Sequence, residues 1–281
     1  MSDQKFSLEA CPNLKGDLAF RPGLGAAGVI VARRNQELRT VPAFEPAVIL
    51  VLEGTKEVGR SDGIVALPAG SYLTMRAGCE VDLGNLPSPV SGCYRALVLS
   101  FAKETLQAFA QQYPARIARD ASGPAWRGLP PNQALKDGLF HAYQGFQGGQ
   151  LCDDALRCRL IEVLILLADH GCRWPAPGLE TDAERVRLLL SSRPAAPWSA
   201  ADAAGALGIS ESSLRRRLSQ EGTGFRAILS DIRLSTGLML LQTSEASIAD
   251  IALACGYESP SRFAERFQAR FGTLPSRLRL E

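Results

Sequence analysis

Histidine is almost missing from this chain: two occur, His141 and His170, and none before position 141. The first half therefore has no imidazole from which to build a metal site or a general base, and no Ser/His/Asp or Cys/His pairing can be assembled. CxxC pairs are missing too. Seven cysteines lie scattered at positions 11, 79, 93, 152, 158, 172 and 255, so neither a zinc scaffold nor a disulfide framework is expected. They read as buried or idle thiols of a reducing compartment, with Cys79 and Cys93 left open as redox sensors. No apolar run approaches the roughly 18 residues needed to span a bilayer. The densest stretch, 160–168, is much shorter and holds Glu162. The polar start Met-Ser-Asp-Gln-Lys is followed by no apolar signal core. The expectation is a cytoplasmic protein with no membrane segment, metal, cofactor or enzymatic activity.

Lysine is absent from position 182 onward, where 13 arginines and 11 acidic residues stand; all five lysines come earlier. Arginine offers a planar fork that bridges two acceptors, which lysine cannot do, so an arginine-only segment suggests bidentate recognition. Codon bias toward high GC gives the same skew. Net charge is only +2, and by itself says little about nucleic acid.

What is present is an ordinary globular composition, 46% hydrophobic and 21% charged over 281 residues, enough for two domains with their own cores. The Pro- and Gly-containing stretch 174–182 reads as a linker. Before it, apolar runs at 47–52, 64–67 and 95–101, and the alternating 80–83, read as short strands of an antiparallel sandwich or small barrel. Helical periodicity follows at 102–113 and, more strongly, at 151–170. The latter is apolar on two faces: Leu156, Leu160, Val163, Leu164 and Leu167 on one, Ile161, Ile165 and Ala168 on the other. Such a helix needs cover on two sides. Leu156, Leu160, Ile161, Leu164 and Ile165 are therefore the expected dimerisation residues, the alternative being a helix inside one large core.

The last hundred residues contain a repeat. Ser199-Ala-Ala-Asp202 recurs 48 positions later as Ser247-Ile-Ala-Asp250, each with the form of a helix-capping box. At the same offset Ala204 maps on Ala252, Leu207 on Cys255, Gly208 on Gly256 and Ile209 on Tyr257. After the turn the offset becomes 49: Ser210 maps on Ser259, Leu214 on Phe263, Arg217 on Arg266 and Leu218 on Phe267. Each copy, about 199–220 and 247–270, is a capped helix, a glycine turn and a second capped helix. The small alanines let the helices cross closely, and the Leu or Phe pairs at i, i+4 turn the second helix inward. Polar residues remain on its outer face: Glu211, Ser212, Arg215 and Arg216 in the first copy; Ser259, Pro260, Ser261, Arg262, Glu265 and Arg266 in the second. Short polar and Arg side chains on such a face reach base edges in the major groove.

The second copy, from Ser247 to Phe-Gly at 271–272 and on to Pro275 and Arg279, resembles the signature of the AraC/XylS-type transcription regulators. Trp198, Gly222, Phe225, Arg233 and Leu234 also match. The resemblance covers 182–281. It implies two helix-turn-helix units joined by one long helix, about 225–241, entering successive major-groove segments on one DNA face. It also implies a cupin-like β-barrel before them, over 1–175, that binds an effector or dimerises. The expected fold is thus α+β: a cupin-like antiparallel β-barrel with a helical extension, then an all-α domain. The expected function is a bacterial, sequence-specific regulator, an activator controlled by a small-molecule or protein signal, with promoter DNA and RNA polymerase as partners and a homodimer as its state. A regulator answering only to a protein partner, or a repressor, is the alternative. A cupin-type enzyme with a DNA-binding tail is set aside because 1–140 lacks histidine. Four positions depart from the family pattern: Glu265 and Gln268 replace usual Arg and Lys, Gly237 a usual Ala at about 1 kcal/mol of helix propensity, and Leu278 a common aromatic.

Overall fold

A computed structural model describes residues 18–60, 63–119, 123–147, 149, 151–178 and 181–278. The chain divides into two compact units, the first reaching Pro177 and the second beginning at Gly178. Cys11 and Arg279 lie outside the described residues.

In the first unit, runs of Val, Leu and Ile pair into two antiparallel sheets. The six-stranded sheet has the order β1 (Ala19–Arg21), β2 (Gly25–Ala32), β9 (Tyr94–Phe101), β4 (Ala47–Glu53), β7 (Tyr72–Met75), β10 (Trp126–Leu129). The four-stranded sheet has the order β3 (Gln36–Ala43), β8 (Cys79–Leu86), β5 (Thr55–Arg60), β6 (Gly63–Pro68). One face of the larger sheet, with Val29, Val48, Leu50, Leu97, Leu99 and Phe101, joins a single core with α1 (Lys103–Gln112), α2 (Gln133–Gln147) and α3 (Asp153–Asp169). The alternate residues Ile49, Val51, Leu73 and Ala96 are buried as well. A sheet covered on both faces gives the continuous apolar runs seen in β4 and β9.

Three of the five residues of α3 expected at a dimer contact need correction. Leu156, Leu160 and Leu164 are buried by the chain's own α1, α2 and sheet. Only Ile161 and Ile165, half-buried and packed at the margin of that core, retain surface for another molecule. The cover comes from α2, which glycines bring close: a Cβ on Gly145 would stand 2.8 Å from Leu156 Cδ1, and one on Gly138 3.3 Å from Leu166 Cδ1.

The second unit is all helical: α4 (Asp182–Ser191), α5 (Ala200–Ala206), α6 (Glu211–Gln220), α7 (Phe225–Thr243), α8 (Ile248–Ala254) and α9 (Pro260–Phe271). Its first half gathers Val186, Leu190, Ala203, Ala204, Leu214, Leu218, Ile228 and Ile232 in one cluster. The other half buries Leu238, Leu241, Ile251, Ala252, Cys255 and three phenylalanines. Helix α7 runs through both.

Candidate nucleic-acid interface

Each helix of the repeat starts where its cap puts it. Ser199 Oγ accepts from the Asp202 amide at 3.0 Å while the Asp202 carboxylate accepts from the Ser199 amide, a complete capping box. The Ser199 hydroxyl also donates to that carboxylate (2.6 Å), and this bond first and the Ser199 amide second hold the Asp202 carboxyl below the usual range. Ser247 caps α8 by accepting from the Asp250 amide at 3.1 Å, and its hydroxyl donates to the Asp250 carboxylate. The second helices are capped by Ser210, accepting from the Ser213 amide, and Ser259, accepting from the Arg262 amide. Capping of this kind contributes roughly 1 kcal/mol per helix. Between the helices, Gly208 and Gly256 take φ of 71° and 76°, left-handed values that a side chain disfavours.

Each second helix then has one face fixed inward. Leu214 and Leu218 on α6, and Phe263, Phe267 and Phe271 on α9, are fully buried. The phenylalanines form a ring series, tilted between Phe263 and Phe267 (5.5 Å between centroids) and edge-to-face between Phe267 and Phe271 (4.7 Å), continued edge-on to Tyr257 at 5.4 Å. The opposite face of α6 presents Ser212, Arg215 and Arg216 to solvent. Arg215 is held by Glu211 one turn back, an ion pair at i, i+4. Arg216 makes no hydrogen bond or ion pair among the described residues, so its five donors are available. On α9, Pro260, Ser261, Arg262, Glu265 and Arg266 are exposed. Ser259 is half-buried and spent on its cap, which takes it from the contact face. Arg217, which follows Arg216, is turned toward α4 and lies 3.5 Å from Asp182.

Two departures from the family pattern find structural reasons. A Cβ on Gly237 would stand 2.7 Å from the Phe263 ring, so the glycine makes room for an aromatic residue. Leu278 is fully buried, so a smaller residue still closes the last turn.

Sequence reasoning missed three supports. Thr181 and Glu184 form a capping box at the start of α4. Glu221, at the end of α6, accepts from the Asp182 and Ala183 amides at 2.9 Å each, tying α6 to α4. Arg233 of α7 donates from Nε to Pro194 O (3.0 Å) and from Nη2 to Ala196 O (2.9 Å). The signal for Arg233 was a charged residue within the apolar run of α7.

This arrangement has counterparts among known proteins. A family model described as a helix-turn-helix domain matches residues 203–281. The second unit is a helix-turn-helix domain of the AraC/XylS type. The HTH-type transcriptional regulator YdeO of Escherichia coli K12 is 38% identical over 104 residues, which cover 37% of this chain and 41% of that protein. The match thus spans well under half the length of this relative. The HTH-type transcriptional regulator ExsA of Pseudomonas aeruginosa is 26% identical over 265 residues, covering 85% of this chain and 90% of its own. Among solved structures, ToxT from Vibrio cholerae bound to an unsaturated fatty acid superposes with a TM-score of 0.59 at 16% identity. It covers 90% of this chain and 94% of ToxT, a likeness of fold.

The first unit holds features of another kind. Cross-strand partners on the small sheet set Gln36, Asn85, Lys56 and Leu67 in one row. Lys56 Nζ donates to Asn85 Oδ1 (2.7 Å) and Asn85 Nδ2 to Gln36 Oε1 (2.8 Å), all three buried. Lys56 has no counter-ion among the described residues, and burial alone pushes its pKa down to about 7. Its ammonium lies 5.8 Å from the Tyr94 ring centroid, and the buried Tyr94 hydroxyl has no hydrogen-bond partner among the described residues. Beyond Leu67 a groove of about 570 Å³ opens between β6 and β10, lined by Val65, Leu67, Trp126, Arg127, Leu129 and Pro130. Burial raises the pKa of Cys79 and Cys93, leaving little thiolate for redox chemistry. Among the described residues no cluster of His, Cys, Asp and Glu could hold a metal ion, and no helix is long and apolar enough to cross a membrane.

Proposed function

We propose that the protein is a sequence-specific transcription regulator that binds promoter DNA through the outer faces of α6 and α9. One observation carries this reading: two capped, glycine-turned helix pairs share α7, and each presents arginine where its partner face is locked in a core. Arg216 suits the O6 and N7 atoms of guanine, a contact typically worth about 1–3 kcal/mol of discrimination. Ser212 stands one turn earlier on the same face. Arg262 and Arg266 serve phosphates or bases in the second unit, with Ser261 beside them and Glu265 weakening nearby phosphate contacts unless it accepts from a cytosine amine. The protein acts in the bacterial cytoplasm, without enzymatic activity, and as an activator it engages RNA polymerase.

The first unit is the signal-receiving part, 1–175 being its extent and 182–281 that of the DNA-binding part. The groove beside β6, apolar but for Arg127 and Ser71, supports a small apolar effector. A ligand of the chemistry bound to ToxT, an apolar chain ending in a carboxylic acid, fits that lining. A protein signal is the second reading, favoured by the exposed edge strand β6, where Ile64 is 69% exposed. Self-association, if through α3, uses Ile161 and Ile165.

The test is binding of the full chain to duplexes selected from a random pool. Selection of one motif, with affinity falling steeply as salt rises because Arg–phosphate contacts release counterions, supports the reading. Enrichment of no motif, or affinity indifferent to salt, overturns it.

A further inference from the structure

The two halves of the helical unit have separate cores, yet they meet beside α7 at the loop 194–196. The Arg233 guanidinium, at the middle of α7, is fixed by two bonds to the loop between α4 and α5. The turn of the second helix-turn-helix lies directly against it. A Cβ added to Gly256 would stand 2.8 Å from Arg233 Nη2, 2.9 Å from its Cζ and 3.0 Å from Ala195 Cα. The equivalent position in the first copy, Gly208, would meet nothing within 4 Å. Gly256 is therefore required twice, for its φ of 76° and for this close approach. Loop 194–196, the centre of α7 and the α8–α9 turn form one three-way junction. A second tie runs beside it, from Arg270 Nε on α9 to Asp231 Oδ1 on α7 at 3.0 Å.

We propose that Arg233 is a positioning residue that fixes the offset between the two recognition helices and so makes the protein read the spacing between its two DNA segments. This inference rests on the DNA-binding reading above. The physical argument is one of stiffness. A single helix bends and twists about its axis, and a joint made only of α7 would let α9 swing relative to α6. Arg233 closes that joint on the loop that leads into α5. Both of its bonds end on main-chain carbonyls, which cannot move away as side chains do, and a charged donor makes each stronger than a neutral bond. One inserted base pair shifts a DNA segment by about 3.4 Å and turns it by roughly 35°. A clamped pair of helices cannot follow that change; an unclamped pair can.

The experiment uses the full chain and the duplex it selects from a random pool. Variants of that duplex carry one base pair inserted or deleted between the contacted segments, or have one segment scrambled. The wild type should lose about tenfold or more on either spacing change, since each tenfold is about 1.4 kcal/mol. Arg233→Gln should bind the selected duplex more weakly by about tenfold, show a spacing penalty reduced to about threefold or less, and bind the half-scrambled duplex as the wild type does. Arg233→Lys, which keeps one of the two bonds, should fall between. Gly256→Ala sets a Cβ against the Arg233 guanidinium, so that the guanidinium or the turn must shift, and it should relax the spacing penalty too. An unchanged spacing penalty in both Arg233→Gln and Gly256→Ala overturns the proposal. So does a fall in half-scrambled binding that parallels a fall in melting temperature, which would make Arg233 a prop of the fold alone. A wild type that selects no duplex overturns the DNA-binding reading itself.

Discussion

The first and second helix-turn-helix units share caps, turn and register but are filled differently. In the first, Leu214 and Leu218 close a core with Val186 and Leu190 from α4 and with Ile228 and Ile232 from α7. In the second, a short 3-10 helix, Pro275–Leu278, packs on α7 and α9, and Phe263, Phe267 and Phe271 take up the volume as a series of tilted and edge-on rings. The aromatic solution has a geometric demand that the aliphatic one lacks: it uses the gap left by Gly237 and draws the Gly256 turn against Arg233. The outer faces differ in turn. Glu211 holds Arg215 on α6, whereas Arg216 and, on α9, Glu265 have no ion-pair partner among the described residues. One scaffold thus gives one outer face whose single carboxylate is engaged with Arg215 and another in which an exposed carboxylate stands among the arginines.

The largest test of that contrast is truncation of the core. Phe263→Ala should destabilise by about 3–5 kcal/mol, and Leu214→Ala by about 2–4 kcal/mol, measured by urea denaturation of each full-length variant. Equal losses would show that the ring series adds nothing beyond the bulk of its residues.

Next in size is the asymmetry of the outer faces. Arg216→Ala should lower affinity for the selected duplex by about 1–3 kcal/mol and flatten preference at one or two positions. Glu265→Ala should leave affinity unchanged or raise it across sequences, because a carboxylate near phosphates is removed. Binding-site selection on both variants decides between them. If Arg216→Ala selects the wild-type motif while Glu265→Ala loses it, the second unit reads and the first anchors.

The smallest effect concerns Gly237. Alanine there gains about 1 kcal/mol of helix propensity but meets the Phe263 ring, and such overpacking costs about 1–3 kcal/mol. Gly237→Ala should therefore destabilise the wild type by about 1 kcal/mol or slightly more, yet be neutral or stabilising in a Phe263→Leu background. Thermal melts of the four chains give the sign, and a loss that persists with Phe263→Leu would sever the proposed link between glycine and ring.

The repeat made the helical unit readable from residues alone. Ser199, Ser210, Ser247 and Ser259 cap where the spacing put them, and Gly208 and Gly256 turn as expected. The first unit hid more. Strands β4, β6, β8 and β9 announced themselves by apolar runs or alternation, but β2 is Gly-Ala-Ala-Gly before its valine, and β5 buries a lysine where polarity signals a surface. Helix α2 escaped because Gly138 and Gly145 interrupt its apolar stripe, and both serve contacts with α3 that no local pattern records. For the same reason the inner face of α3 was taken for a site of self-association. The outer-face residues of α6 and α9 were legible as positions, while the pairing of Arg215 with Glu211 and the use of Ser259 as a cap needed coordinates.

The buried row on the small sheet has a consequence for proton exchange. An unfolded lysine keeps its proton to about pH 10.4, whereas Lys56 in the native first unit loses it near pH 7. Folding above neutrality therefore expels one proton. Between those two values the unfolded chain binds more protons than the native one, so the stability of this unit rises with pH across the window. Below pH 7 the native state must keep an ammonium in the interior, with Asn85 its one hydrogen-bond acceptor among the described residues. Lys56→Met removes that liability: its advantage in unfolding midpoint over the wild type should be greatest near pH 6 and shrink steadily toward pH 9.5. An advantage constant over that range would mean that Lys56 keeps its proton inside the fold.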